Sequence, residues 1–246
     1  MLRIPRSRLG EGVFHVLNRG INRSAIFGEE GDKKAFFDLL VEYRRRFAVR
    51  VLHWVIMGNH FHLVLEVVKV RELSAFMAGL QRKYTAIHHR KRRERGDDAC
   101  GYLWQGRFKS PLVERGRHLF AVGMYVERNP VRAGLVERPW TYRWSSARDY
   151  TFGEKGVLTD VSYNRDFLSL GATSEERAEA WRSYLMDFDA EKDEALFRGG
   201  RKRNRPRARL SESDFKEGRG GVFTTGIVSV SEGRKRPPPR MIWRMK

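Results

Sequence analysis

Two apolar runs, Val51 to Met57 and Leu63 to Leu65, flank Gly58-Asn59, and the second is entered through His60-Phe61-His62. Short runs of this kind, rich in Val, Ile, Leu and Trp and separated by a turn signal, read as buried β-strands. Residues 47–57 and 60–67 therefore form one or two strands, broken or turned at 58–59. A strand sends alternate side chains to opposite faces. His60 and His62 then share one face, while Phe61 and Leu63 occupy the other. The fold must contain a sheet with one face for an apolar core and another that presents two adjacent imidazoles. Neutral imidazole is the commonest protein metal ligand, so the pair amounts to half of a metal site. The alternative is two core histidines satisfied by hydrogen bonds.

The rest of the chain supplies partners for such a sheet. Gly12 to Asn18 predicts a first strand, ended by Arg19-Gly20. From Asp32, a candidate cap, Phe36, Phe37, Leu39, Leu40 and Tyr43 recur at helical spacing. Ser74 opens a second predicted helix through Phe76, Met77, Leu80 and Tyr84, running into Arg90-Lys91-Arg92-Arg93. Leu112 to Glu114 predicts a short strand, and Leu119 to Arg128 a third helix stopped ahead of Pro130. The order β-α-β-β-α-β-α predicts an α+β domain, an antiparallel sheet with helices packed on it. Residues 153–198 read as a helical extension, with a helix from Glu175 to Phe188. Residues 199–246 read as a basic, disordered tail.

Charge narrows the class of partner. The 246 residues carry 49 Lys and Arg against 30 Asp and Glu, a net +19. Of this, +10 lies in the tail from residue 199, leaving +9 for the rest. Such an excess favours a polyanion, because Lys and Arg displace counterions from phosphates. Cys100 is the only cysteine, which excludes an internal disulfide and predicts a reducing compartment. No run reaches the roughly 18 apolar residues of a membrane span. Residues 1–6 lack the apolar core of a signal peptide, so the expected location is the cytoplasm, with no membrane partner.

Two ligands are too few for a closed zinc site, and no cysteine cluster supplies the others. An open site for a hard divalent ion, Mg²⁺ or Mn²⁺, finished by oxygen ligands and substrate phosphate, suits the pair better. Tyr125 and Asn129 lie four apart at the end of the third helix and so share a face. Asn129 offers a carbonyl oxygen to a metal, and Tyr125 a hydroxyl able to attack phosphorus once activated. Alternatively, Tyr125 is simply packed and Asn129 caps the helix before Pro130. Tyr102 to Lys109 and Trp140 to Ser146 mix aromatics with cations, as single-strand binders do. Trp104, Arg107, Lys109 and Arg143 are candidate DNA contacts there, joined by Arg19, Arg23, Lys83 and Arg132; solvated charges and core aromatics are the alternative.

Together, Phe14-His15-Val16-Leu17-Asn18-Arg19-Gly20, Met57 to Val64, Leu103 to Lys109, Tyr125 to Val136 and Tyr142 to Ser146 resemble the REP-associated tyrosine transposases. These are a branch of the single-strand transposases with the HUH nuclease fold. The five motifs occur in the family's order over about residues 1–152; Gly58 departs from a frequent proline. The resemblance implies a ferredoxin-like antiparallel sheet in an HUH-type domain over residues 1–152. It also implies a metal-dependent single-stranded DNA endonuclease and strand transferase acting on hairpin-forming repeats. Tyr125 would be the nucleophile, leaving a 5′-phosphotyrosine link; His60 and His62 would be metal ligands, with Asn129 the third. Oligomeric state stays open, a monomer being favoured. Rival readings are a non-catalytic single-strand binder and a hydrolase that uses the histidines to activate water.

Overall fold

The computed structural model describes residues 11–98, 100–153 and 156–187. Four strands, β1 (Gly12–Arg19), β2 (Val49–Ile56), β3 (His60–Val67) and β4 (Leu112–Val113), form one sheet in the order β2-β3-β1-β4. Every pairing is antiparallel. Helices α1 (Glu30–Arg46) and α2 (Val70–Glu94) connect the strands, and α3 (Arg117–Arg132) follows β4. This is the expected ferredoxin-like α+β architecture. The expectation for residues 199–246 lies outside the described residues.

The sheet is buried on both faces. Phe14 and Val16 of β1 and Phe61, Leu63 and Leu65 of β3 pack with Phe36, Leu40, Phe76, Met77 and Leu80 of α1 and α2. Val13, Val55 and Val64 point the other way, against Leu119, Val122 and Val126 of α3. Side chains so fully enclosed each contribute about 1.5–3 kcal/mol by removal from water. The close approach of α1 and α2 needs Gly79, where a Cβ would sit 2.4 Å from the Tyr43 ring. A β-bulge between Val51 and His53 places Leu52 and His53 on the α3 side together.

Three boundaries differ from the sequence expectation. Asp32 is not the cap of α1: Glu29 is, and Asp32 sits at the third helical position in a reciprocal capping box. Helix α2 begins at Val70, four residues before Ser74. Helix α3 runs through Pro130 to Arg132. Pro130 has no N–H for the Val126 carbonyl, and the Asn129 amide supplies a long donor there, 3.4 Å away, besides its 2.7 Å bond to the Tyr125 carbonyl.

Beyond α3 come α4 (Ala147–Thr151), α5 (Arg165–Leu168) and α6 (Ser174–Met186), the last capped by Thr173 in a capping box with Glu176. Phe167, Trp181 and Leu185 form a third core with Met124, Ala147 and Tyr150. Helix α3 thus lies between the sheet and this outer layer. Residues on both sides of position 152 contribute to that shared cluster. Arg128 of α3, 1% exposed, donates to the carbonyls of Tyr184, Leu185 and Asp187 at the end of α6.

Candidate active site

The α3 side of the sheet collects the chemistry. On β3 the rings of His60 and His62 lie 5.1 Å apart between centroids, nearly perpendicular. His62 is 5% exposed; His60 lies nearer the rim. Burial, with the Arg19 charge second, pushes the His60 imidazole down to about 4, which keeps it neutral at pH 7 with a lone pair to give. Its Nδ1 is 2.6 Å from Asn59 Oδ1, leaving Nε2 as the ligand-capable nitrogen. A third imidazole joins them: His15 of β1 stacks on His62 at 5.0 Å, with His15 Nε2 2.8 Å from His62 Nδ1.

Tyr125 closes the group from α3. Its ring stands edge-on to His62 at 5.6 Å and to His15 at 6.1 Å. The Arg132 guanidinium lies 5.2 Å from the Tyr125 ring centroid, two turns further along α3. Asn129, one turn from Tyr125, gives its Nδ2 to the helix backbone, so Oδ1 is the amide atom left for a ligand. Among the described residues no cluster of three or more His, Cys, Asp or Glu is arranged to hold a metal. The donors present, two imidazoles with an amide oxygen and a phenol from α3, suit an open site for a divalent ion rather than a closed one.

The other candidates divide by position. Arg19 pairs in register with His60, is hydrogen-bonded to Gln105 and acts electrostatically on the imidazole. Arg23 is exposed at a left-handed φ of 61°, and its carbonyl accepts from Asn59 Nδ2 at 3.2 Å. Arg107 and Lys109 are exposed on the segment that prolongs β4 along β1, bridged at Leu17 and Lys109 and at Gly20 and Trp104. Three residues are not brought to the histidines. Lys83 is exposed on α2, across the sheet. Trp104 is half-buried among Phe27, Phe36, Phe61 and Tyr84, with Nε1 bonded to Thr85. Arg143 is exposed over Trp144. The aromatic motif around it serves the free edge of β2: the Tyr142 hydroxyl donates to the Ile56 carbonyl, and Ser145 bridges Val55.

Sequence reasoning missed His15 as a neighbour of His62, and it missed a buried polar network directly behind Tyr125. Glu127 and His53 are wholly buried, 2.8 Å apart. The carboxylate also accepts from Ser146 at 2.7 Å and from Trp181 Nε1 at 2.8 Å. Asn164 Nδ2 donates to His53 Nε2, so the His53 proton sits on Nδ1, facing Glu127. Gly123 makes room for that ring; a Cβ there would lie 2.6 Å from His53 Nε2.

Comparison with known proteins bears on the fold that holds this arrangement. Residues 11–129, from the first strand through Asn129, match the family model described as IS200-like transposase. Among solved structures, the fold is shared with a REP-associated tyrosine transposase bound to a REP hairpin, at 17% identity and a TM-score of 0.50. That match covers 65% of this chain and 93% of the other. A candidate transposase from Deinococcus radiodurans is similar at 15% identity and a TM-score of 0.36, over 52% of this chain and 97% of its own. No curated protein matches the chain. Among the described residues, no helix is long and apolar enough to cross a membrane.

Proposed function

We propose that this chain is a metal-dependent single-stranded DNA endonuclease and strand transferase that works on hairpin-forming repeats through Tyr125. The observation that carries the reading is the edge-on packing of the Tyr125 phenol against His62, beside the second imidazole of His60. A pure binding module has no need of a phenol at that place. The hairpin-bound state of the structural neighbour supports the substrate class.

In this reading the Tyr125 oxygen attacks a phosphodiester phosphorus, and the bond to the 3′-oxygen breaks. The products are a 5′-phosphotyrosine link and a free 3′-hydroxyl. One phosphate ester bond forms as another breaks, so a different 3′-hydroxyl can reverse the step and rejoin the strand. His60 and His62 would hold a divalent ion through Nε2, with Asn129 Oδ1 as a third donor. Such an ion, when bound, polarises the phosphorus and offsets charge on the phosphate oxygens. Arg132 brings positive charge close to the ring on which negative charge gathers as the phenol loses its proton. Arg19 faces the same site from β1, and Arg107 and Lys109 give the strand a basic path along the sheet edge.

The test is a labelled single-stranded hairpin incubated with Mg²⁺ or Mn²⁺ and resolved on a denaturing gel. A protein-linked DNA species is expected from the wild type. Tyr125→Phe should abolish it and leave hairpin affinity within a few-fold. Cleavage by the Phe variant at the wild-type rate would instead favour hydrolysis by an activated water.

A further inference from the structure

We propose that Asn59, oriented by the backbone of a left-handed turn at Asn22-Arg23, is the positioning residue of His60. Its amide keeps the imidazole proton on Nδ1 and so presents Nε2 to a cation. This rests on the proposal that His60 and His62 hold a divalent ion. A neutral imidazole has one proton and one lone pair. The 2.6 Å contact between Asn59 Oδ1 and His60 Nδ1 fixes that proton only if the amide cannot turn over and offer its NH₂ instead.

A second contact decides the orientation. Asn59 Nδ2 lies 3.2 Å from the Arg23 carbonyl, which can only accept, so the NH₂ end of the amide faces it. Oδ1 is left to His60, where it requires an N–H at Nδ1. Turned over, the amide would set its oxygen against the Arg23 oxygen, acceptor against acceptor. The Arg23 carbonyl is in turn held in place. The Gly20 N–H donates to the Asn59 carbonyl and the Phe27 N–H to the Gly58 carbonyl, each at 2.9 Å, so the segment between them is clamped onto the turn joining β2 and β3. Within it the chain passes through Asn22 at φ 50° and Arg23 at φ 61°. Asn tolerates that region, but Arg rarely adopts it. Such strain persists where neighbouring bonds over-determine the backbone. Here the Arg23 N–H to the Gly20 carbonyl, 3.1 Å, and the Ser24 N–H to the Ile21 carbonyl, 2.8 Å, close the turn. Its outcome is a carbonyl aimed at the amide that orients a ligand ring.

Two measurements test the assignment. Long-range ¹H–¹⁵N spectra of the metal-free full-length protein at pH 8 read the tautomer of His60 directly, and the Nδ1–H form is expected. Asn59→Ala removes the acceptor and should let the proton move to Nε2. Asn59→Asp keeps an acceptor oxygen and should retain the Nδ1–H form. Calorimetric titration with Mn²⁺ alone should show binding about 10-fold weaker for Asn59→Ala, the lower end of the range for a partner behind a metal ligand, because Asn59 is only half-buried. An Nε2–H form in the wild type, an Ala variant that keeps Nδ1–H or wild-type affinity, or an Asp variant that loses Nδ1–H would each overturn the role of Asn59. If the Ala variant fails to fold, the wild-type spectra and the Asp variant decide. Failure of the metal reading itself looks different: His60→Ala would then leave the Mn²⁺ titration unchanged.

Discussion

Replacing Glu127 should cost far more than its distance from any substrate suggests, and in a graded way. Its carboxylate accepts from three buried donors: His53 Nδ1, Ser146 Oγ and Trp181 Nε1. In Glu127→Gln the amide oxygen can still serve His53 and Ser146, which share one carboxylate oxygen in the native protein. The amide NH₂ then meets the Trp181 N–H, donor against donor. One orphaned buried donor costs about 1–3 kcal/mol, and each kilocalorie lowers the melting temperature of a domain this size by about 2–4 °C. Glu127→Leu orphans His53 Nδ1 and Trp181 Nε1 and leaves Ser146 only its 3.4 Å contact with the Trp54 carbonyl; two orphans cost roughly 2–6 kcal/mol, comparable with the about 5–15 kcal/mol that holds a typical domain together. Trp181→Phe removes the donor that the Gln variant offends. Glu127→Gln should therefore cost at least about 1 kcal/mol less when combined with Trp181→Phe than in the wild type, a coupling that contacting residues show. Urea denaturation followed by far-UV circular dichroism supplies the four free energies. Costs that add within about 0.5 kcal/mol, or a Gln variant as stable as wild type, would refute the network as the holder of α3.

Two further outcomes follow from the same geometry. Gly123→Ala drives a methyl to 2.6 Å from a ring packed against both Tyr150 and Trp181, and it should destabilise by about 1–3 kcal/mol; an unchanged melting temperature would contradict that packing. Hydrogen bonds from Arg95 and Lys91 hold the Glu29 carboxyl down at about 2, so its stabilising contribution is complete above about pH 4.5 and is lost as the pH falls through 2. Glu29→Gln should accordingly melt lower than wild type at pH 7, with the gap closing near pH 2; a gap of the same size at both ends would exclude this origin.

Much of the frame was legible because it depends on spacing. A period of two set His60 and His62 on one face, and the order of apolar periodicities yielded the antiparallel α+β sheet. What stayed hidden depends on contacts distant in sequence. Asp32 looked like a cap because Glu is a less usual N-cap than Asp; the capping box with Glu29 needs both residues in place. Pro130 looked like a stop because its missing N–H is visible in the sequence and the Asn129 amide that substitutes for it is not. Trp104 and the Tyr142 to Ser146 motif looked like stacking surfaces, since aromatic and basic composition reads the same whether the rings face bases or a core. His53 and Glu127 are 74 positions apart, and a bulge resets the face of β2 just where the histidine stands. No periodicity could have paired them.

The layering around α3 carries a consequence for strand exchange. A tyrosine riding on a helix gripped by a sheet on one flank and by Trp181, Leu185 and the α6 terminus on the other has no room to swing. In the proposed reaction, such a tyrosine would wait in place once joined to DNA. Any new 3′ end would have to be delivered to it, so the choreography of cutting and resealing would fall to the nucleic acid and its own folding rather than to movement of the protein.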